Sequence, residues 1–434
     1  MWQAGTYFLI LATLGLFLRQ ARGFGGDRLT RLVMLIIWAR FALAALGDVA
    51  VSTSVAGFSL IALGTLALTA LGVAMMPLRL FATRRLYPFY AIVALGVLSG
   101  LLNSAGLAMV SFVAIWAFFV VCALLLYRAF CRHGLRPVLT SLLAVLALPV
   151  AMQILSIALG TPKTGVDGSL SYIGAYVHEA VFSVVLLAAL VVAVAYPWRT
   201  APQAWAAVAL LLGGLFLANY RTIIIAAAPL LVVFLYQRLG RTRGGLFRLA
   251  VPVLLLALIV PPELPRQIGE RFTEVRTVTG VIGTLIKPPE EFTAREKDLL
   301  SARVYIWSAY FYGAIRSDAP QQLVGHGPDT RAPGMSVHPH NEYLRVLFEN
   351  GILGFVVWLS VLLYQLRLAL RILPDPTALV VVAGYLAVFL GALGTSFFNR
   401  PEGFVLLAIL SAMTWFLADG QPQGGRSRAA QAAG

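Results

Sequence analysis

Apolar runs long enough to cross a lipid bilayer recur along almost the whole chain, from Trp2 to Ala418. A transmembrane helix needs about 20 consecutive, mainly apolar residues. Of the 434 residues 60% are apolar and only 12% are charged, whereas soluble domains carry about 25% charged residues. This composition excludes a soluble enzyme with one hydrophobic tail and predicts an all-α, polytopic membrane protein.

Thirteen apolar runs are candidate spans, although several are short and a count of twelve fits the pattern equally well. They cover residues 2–18, 32–50, 55–76, 86–102, 105–127, 137–160, 180–197, 202–218, 222–236, 246–261, 351–366, 377–398 and 403–418. Residues 1–261 are therefore expected to form an N-terminal group of transmembrane helices, and residues 351–418 a C-terminal group. Residues 419–434, rich in Gly, Gln, Arg and Ala, are expected to form a disordered cytoplasmic tail.

The charge distribution indicates the orientation of these spans. The formal net charge is +15, from 33 Lys and Arg against 18 Asp and Glu. Arginines cluster in every second loop, at residues 19–31, 79–85, 128–136, 199, 238–248, 367–371 and 426–428. Because cationic residues are retained on the cytoplasmic side during insertion, the pattern predicts an external N-terminus and a cytoplasmic C-terminus. The positive charge is thus a topology signal, and nucleic-acid binding is not expected.

The segment 262–350 differs from the rest of the chain. It contains no spanning run and holds 11 of the 18 acidic residues, which nearly balance its 10 basic residues. The alternation of the arginine clusters places it outside, in the periplasm of a Gram-negative cell. Long segments of this kind are usually functional or disordered, and its aromatic content and helical periodicity favour order. We expect a mainly helical periplasmic segment that carries the catalytic residues.

Three of the five histidines, His326, His338 and His340, fall within this segment. Pro339 disfavours a helical conformation for His338, so His340 stands where the following helix starts. A histidine there can be neutral at physiological pH and accept a proton from a hydroxyl group. The alternative is a histidine that only caps the helix. A zinc site formed with Glu342 is a further alternative, although the firm spacing of a zinc signature is missing.

Arg303 is a candidate anion ligand. Helical spacing places it on one face with Trp307 and Tyr310. A guanidinium group within an aromatic stripe needs an anion, which can be a carboxylate of the protein or a phosphate of a ligand.

Arg221 stands at the predicted external boundary between two apolar runs. Charges at such positions tend to be functional or paired, and at the start of a helix the dipole adds to the positive charge. The alternative for Arg221 is contact with lipid phosphates. Arg40 and Arg400 are weaker candidates of the same kind, and Arg40 can instead pair with Asp48 or another buried acid.

A turn-rich stretch, Gly325-His326-Gly327-Pro328-Asp329, lies upstream of the two neighbouring histidines. Such a turn can bring backbone N–H groups close to a ligand.

The stretch that begins at His340 reads His340-Asn341, nine residues, then Gly351-Ile-Leu-Gly354-Phe355. It resembles the signature of the O-antigen ligase family, in which His is followed by Asn, Ser or Gln, nine residues, Gly-x-x-Gly, and then Thr or Val. Phe355 departs from the last position. The two glycines are expected to let neighbouring helices approach closely. The resemblance extends to the architecture, and it implies a GT-C-like fold with about twelve spans.

The resemblance implies a glycosyltransferase of the bacterial inner membrane whose active site faces the periplasm. Its donor would be O-antigen polysaccharide on undecaprenyl pyrophosphate, and its acceptor a sugar hydroxyl of the lipid A–core. It also implies contact with membrane lipids and a metal-independent, inverting reaction with no cofactor.

The roles of four residues follow from the same resemblance. His340 would be the base, with His338 orienting it or binding sugar, while Arg221 and Arg303 would hold the donor pyrophosphate. Further candidates for substrate contact are His326, Asn341, Tyr310 and Arg400.

Three other functions compete with this interpretation. An O-antigen polymerase and a protein O-oligosaccharyltransferase of the same superfamily would share the type of donor. An anion transporter would use Arg40, Arg221 and Arg400 along a pathway, but transporters usually show paired halves with sites at the midplane, and no second half mirrors the first here.

Overall fold

The computed structural model describes residues 2–55, 57–164, 169–239, 287–297 and 302–420. The predicted span at 246–261, most of the predicted C-terminal tail and parts of the segment 262–350 lie outside these residues. The described chain is mainly α-helical, with two short antiparallel hairpins.

The N-terminal part contains eleven helices within the described residues. They are α1 (Trp2–Arg22), α2 (Arg28–Ala45), α3 (Asp48–Ser52), α4 (Leu60–Met75), α5 (Tyr87–Leu102), α6 (Gly106–His133), α7 (Leu135–Ala158), α8 (Glu179–Ala195), α9 (Ala201–Ala218), α10 (Arg221–Ala226) and α11 (Ala228–Leu239). Short 3-10 helices lie at Leu78–Ala82 and Arg84–Leu86. The hairpins pair β1 (Ser54–Val55) with β2 (Phe58–Ser59), and β3 (Lys163–Thr164) with β4 (Leu170–Ser171).

The described C-terminal part contains six helices. They are α12 (Ala294–Lys297), α13 (Arg303–Ile315), α14 (Ala319–Val324), α15 (Glu342–Leu370), α16 (Pro376–Ala392) and α17 (Pro401–Gly420), with 3-10 turns at Pro289–Glu291 and Phe397–Asn399. The helices α12 to α14 belong to the segment 262–350, whose described residues also include a non-helical stretch over 325–341.

Within the described ranges, eight helices are long and apolar enough to cross a membrane. They begin at Trp2, Arg84, Gly106, Leu135, Ala201, Arg221, Glu342 and Pro401, and three shorter apolar helices, α4, α8 and α16, accompany them. The chain is a helical, multi-pass membrane protein, as its composition predicts. The count of twelve or thirteen spans and the GT-C-like arrangement stay predictions.

Two predicted runs are interrupted in the structure. The run 32–50 breaks where α2 ends at Ala45 and Gly47, with a φ of 59°, leads into α3. The helix α2 also contains three charged residues, Arg28, Arg31 and Arg40, and is not among the eight candidate spans. The run 222–236 is divided at Ala227 between α10 and α11.

The helices α8 and α17 form the centre of the bundle. The first fifteen residues of α17 are all buried, and it packs against α6, α8, α15 and α16. A helix that is apolar on every side belongs in a buried position. Close packing supplies much of helix association in lipid, and the contact of Gly384 with Leu410 shows such an approach between α16 and α17. The starts of α8 and α17 therefore have fixed positions, which matters because both border the candidate site.

The long helix α15 is kinked at Gly351, which has a φ of 65°. The kink leaves the carbonyl groups of Phe348 and Glu349 without partners in their own helix. They accept hydrogen bonds from the backbone N–H groups of His326 (2.9 Å) and Gly327 (3.0 Å). The N–H groups of this turn, which the sequence suggested for a ligand, are thus used to close the kink.

The two signature glycines have different neighbours. A Cβ at Gly351 would overlap the backbone of Leu323 and Val324, so α14 and α15 approach each other closely there. A Cβ at Gly354 would instead meet the side chain of Asn350 on the same helix. The expected approach of a neighbouring helix is confirmed at Gly351 and is wrong at Gly354, because the kink turns Asn350 over that position.

Candidate functional site

His340 lies in the loop before α15 and does not cap that helix. The cap is Asn341, whose side-chain oxygen accepts a hydrogen bond of 3.1 Å from the backbone N–H of Leu344. The Asn341 amide nitrogen donates to the carbonyl oxygen of Leu393 at 3.1 Å, which ties the start of α15 to the end of α16. The capping alternative for His340 is therefore wrong, and its imidazole is free for another role.

The aromatic stripe of α13 holds the histidine loop. The indole nitrogen of Trp307 donates to the carbonyl oxygen of Pro339 at 2.8 Å, and the hydroxyl of Tyr310 donates to that of Val337 at 2.9 Å. Tyr310 is fully buried, and its ring packs edge-on against Phe348. The helical face predicted from the sequence thus faces the loop, and Tyr310 positions its backbone.

The surroundings of His340 keep its imidazole neutral. Burial, together with the charges of Arg303, His178 and His338, lowers the pKa of His340 to about 4. Its ring also stacks on that of His178, with centroids 6.0 Å apart and planes 27° apart. At physiological pH the imidazole is therefore neutral, and one of its ring nitrogens can accept a proton.

His178 is a site residue that the sequence reasoning missed. Its Nδ1 atom accepts a hydrogen bond of 3.1 Å from the backbone N–H of Ala180 and so caps α8. Because Nδ1 is an acceptor there, the proton of the neutral ring is assigned to Nε2. The available signal was a polar His-Glu pair directly before an apolar run, but it gave no indication of contact with the distant His340.

His338 faces an acid. Its Nε2 atom lies 3.0 Å from a carboxylate oxygen of Asp329. The hydrogen bond from His338 holds the pKa of Asp329 below its ordinary value. The contact therefore points His338 towards Asp329 and not towards His340, and its other nitrogen, Nδ1, is buried without a partner in the described chain.

Arg303 lies at the start of α13 with no acidic partner among the described residues. Its guanidinium group donates to the hydroxyl of Thr222 at 3.1 Å and lies 5.4 Å from the ring centroid of Tyr220. The sequence allowed either a carboxylate of the protein or a phosphate of a ligand as the partner of Arg303. Within the described ranges, the structure places no carboxylate against it.

Arg221 lies between the two residues that contact Arg303, at the first position of α10. The hydroxyl of Tyr220 donates to the carbonyl oxygen of Gly394 at 2.6 Å, which fixes this segment against the end of α16. The two predicted arginines are therefore brought to the same part of the fold.

A cavity of about 450 Å³ adjoins the histidines, within the usual size range of ligand pockets. His178, His338 and His340 line it, together with Arg40 and the exposed Arg400. A second cavity of about 370 Å³ shares Arg40, His338 and Arg400 with the first.

Arg331, which the sequence reasoning did not select, also lines both cavities and is exposed. The linings of these two cavities include neither Arg221 nor Arg303 among the described residues.

His326 lies away from the other two histidines of its segment. It stacks on Phe348, with ring centroids 4.2 Å apart, and its Nε2 atom lies 2.8 Å from the hydroxyl of Ser317. Burial lowers the pKa of His326. These contacts describe a residue packed beside the α15 kink, and it lines neither of the two cavities.

Two buried ion-pair groups border the site. Arg40 pairs with Glu402 at 2.7 Å. The sequence allowed a pair with Asp48 or with another buried acid, and Glu402 is that other acid. Arg345 pairs with Glu342 and with Glu349, the latter at 2.7 Å.

Glu342, the carboxylate of the zinc alternative, is fully buried and bound to Arg345. Over the described ranges, no three His, Cys, Asp or Glu side chains are placed to hold a metal ion.

The comparison with known families agrees with the sequence signature. Residues 205–359 match the family model described as O-antigen ligase, and this range contains Arg221, Arg303, His338 and His340. No curated protein matches the chain. The resemblance to the O-antigen ligase family is therefore confirmed for residues 205–359, which match that family's model.

Proposed function

We propose that the protein is an O-antigen ligase, which transfers O-antigen polysaccharide from undecaprenyl pyrophosphate to a sugar hydroxyl of the lipid A–core and completes lipopolysaccharide. The domain match supports glycan transfer of the ligase or polymerase type in general. One observation carries the finer proposal. The neutral imidazole of His340 lines a cavity, and Arg303 is close enough for its charge to lower the pKa of that imidazole. This pair suits a reaction that deprotonates an alcohol and releases an anion.

His340 acts as the base in the proposed reaction. It accepts the proton of the acceptor hydroxyl while that oxygen bonds to the anomeric carbon of the donor sugar. The bond from this carbon to the pyrophosphate oxygen breaks, and attack from the opposite face inverts the anomeric centre. Undecaprenyl pyrophosphate leaves with the bonding electron pair, and the proton on His340 passes to water.

Arg303 and Arg221 stabilise the leaving group. Negative charge accumulates on the pyrophosphate as the bond breaks, and guanidinium groups can bind it with two parallel hydrogen bonds each. The lack of an acidic partner for Arg303 in the described residues supports this role, because an internal salt bridge would compete with the donor. The same two cations provide the charge stabilisation without a metal ion, so the proposed reaction requires no cofactor.

Donor binding increases the basicity of His340 in this scheme. Burial is the main cause of the lowered pKa of His340 in the free protein, and the charge of Arg303 adds to it. A bound pyrophosphate offsets that charge, so the pKa of His340 rises towards its ordinary value when the donor is in place. The base is thus strengthened in the complex that needs it.

The site is proposed to face the periplasm of the bacterial inner membrane, as the arginine clusters predict. The exposed residues Arg331 and Arg136 lie in segments of opposite predicted orientation. In cells expressing a Cys131→Ser background, a membrane-impermeant maleimide should label Arg331→Cys and should leave Arg136→Cys unlabelled until the membrane is opened. The reverse pattern would reject the periplasmic site.

The test of function is a reconstituted assay with lipid-linked polysaccharide, purified lipid A–core and a chelator. Appearance of polysaccharide on lipid A–core supports the ligase. Chain extension on a second lipid-linked glycan would instead indicate the polymerase, and glycosylated protein the oligosaccharyltransferase. Uptake of anionic solutes into the vesicles without glycan transfer would indicate the transporter. Loss of activity on chelation would reject the metal-independent scheme.

A further inference from the structure

Several side chains that line the larger cavity beside the histidines carry buried polar atoms without partners in the described chain. Seven such atoms have no hydrogen-bond partner in the described chain, and the six side chains that carry them all line this one cavity. They are Nε and Nη1 of Arg40, the hydroxyl oxygens of Tyr176, Thr395 and Ser396, Nδ1 of His338 and Oε2 of Glu402. Buried polar groups in proteins are nearly always paired, and an unpaired one destabilises the fold. Their convergence indicates a polar ligand.

The Arg40–Glu402 ion pair forms the inner end of this surface. Both side chains are buried, at 4% and 2% exposure, and the 2.7 Å bond between them uses only one nitrogen and one oxygen. Arg40 retains two nitrogens as donors, and Glu402 one oxygen as an acceptor. The pair has no net charge, so this end of the cavity offers hydrogen-bond donors and an acceptor together and does not by itself favour an ion.

Tyr176 adds a donor next to the ion pair. Burial raises the pKa of Tyr176 well above its ordinary value, and the charges of Glu402 and Arg40 are close enough to act on it. Its hydroxyl therefore keeps its proton. Ser396 and Thr395 lie in the connection between α16 and α17, and each hydroxyl can donate or accept.

The mixture of donors and acceptors identifies the class of ligand. A sugar hydroxyl both donates and accepts, so adjacent hydroxyls on one ring can bind Arg40 and Glu402 at the same time. A phosphate group would meet the carboxylate of Glu402, and a cation would meet Arg40. Apolar side chains such as Val181 and Phe397 complete the lining and can pack against the C–H face of a sugar ring.

We propose that this cavity binds a neutral sugar residue with adjacent hydroxyl groups, through the Arg40–Glu402 pair, Tyr176 and Ser396. Because His340 lines the same cavity, a sugar held there can present a hydroxyl to it. The identity of the sugar rests on the proposed function, since it belongs to one of the two substrates of that reaction. It is either the acceptor sugar of the core or a sugar of the donor glycan.

Binding is tested on the purified full-length chain in detergent, by titration with two lipid-free glycans. One is the oligosaccharide released from lipid A–core, and the other is the O-antigen glycan released from its lipid pyrophosphate. Tyr176→Phe and Ser396→Ala each remove one unpartnered hydroxyl, so neither should lower the unfolding temperature. Each should weaken binding of one glycan by roughly three- to tenfold. The glycan affected identifies the substrate to which the sugar belongs.

Ser183→Ala is the matched control. Ser183 is a buried hydroxyl without a partner in the described chain, as in the two test variants, but it does not line the cavity. It should bind both glycans as the wild type does. Wild-type affinity in both Tyr176→Phe and Ser396→Ala, or no binding of either glycan by the wild type, would overturn the sugar site.

The binding readout is independent of transfer. If the variants bind a glycan more weakly but the reconstituted protein transfers none, the sugar site stands and the proposed ligase reaction fails. In a protein that does transfer, Tyr176→Phe should raise the KM of one substrate with little change in kcat. An unchanged KM for both substrates would count against the site.

Discussion

The indole nitrogen of Trp307 donates a hydrogen bond of 2.8 Å to the carbonyl oxygen of Pro339, the residue directly before His340. Together with the bond from Tyr310 to Val337, it fixes the backbone that presents the proposed base. Since a misplacement of about 1 Å can cost roughly a hundredfold in rate, these contacts are expected to act on catalysis through geometry.

Tyr310→Phe and Trp307→Phe should therefore lower kcat by about ten- to a hundredfold, with little change in the KM of the donor. The control is Tyr312→Phe on the same helix, whose hydroxyl has no hydrogen-bond partner in the described chain. It should keep the wild-type kcat. Equal rates in Tyr310→Phe and Tyr312→Phe would show that the loop does not depend on α13.

Removal of the imidazole tests the base directly. His340→Ala should lower transfer by about 10²- to 10⁴-fold, the usual contribution of a positioned base, while the variant folds and binds donor. Added imidazole should restore part of the rate. Full activity of His340→Ala would exclude this residue as the base. His326→Ala is a useful comparison, because His326 lines neither cavity and should affect stability more than the chemistry.

The sequence predicted these residues to very different degrees. The face shared by Arg303, Trp307 and Tyr310 followed from helical periodicity alone, because i, i+4 and i+7 positions coincide on any helix. The contact between His178 and His340 could not be predicted, since it depends on how the helices pack. The kink at Gly351 was also missed, because its left-handed conformation depends on the partners that Gly325-His326-Gly327 provides.

The pH dependence follows from the surroundings of His340. Because its pKa in the free protein is about 4, the imidazole becomes protonated, and is lost as a base, only when the pH falls through that value. The acidic limb of kcat/KM, which reports the free enzyme, should therefore lie near pH 4 and not near 6.5. The limb of kcat should lie at higher pH, because bound pyrophosphate offsets the charge of Arg303. Limbs at the same pH in both profiles would contradict the coupling.

Arg303→Lys separates a bidentate grip from a simple charge. An ammonium group cannot reproduce the planar fork of a guanidinium, so kcat/KM should fall by at least about tenfold even though the charge is retained. Arg303→Gln should lose more activity and should shift the acidic limb of kcat/KM to higher pH, since the charge that lowers the pKa of His340 is gone. Wild-type kinetics in Arg303→Lys would favour a purely electrostatic role.

Gly351→Ala tests the close approach between α14 and α15. Gly351 has a φ of 65° and a ψ of −172°, a region essentially confined to glycine, so an alanine there costs about 1–3 kcal/mol in backbone strain. Its Cβ would also overlap the backbone of Leu323 and Val324. Overpacking adds about 1–3 kcal/mol. Gly334→Ala is the matched control, because Gly334 has a φ of 75° but no atom within 4 Å of an added Cβ. The unfolding temperature in detergent should fall for both variants and clearly further for Gly351→Ala. Equal decreases would show that only the conformation, and not the contact with α14, requires glycine there.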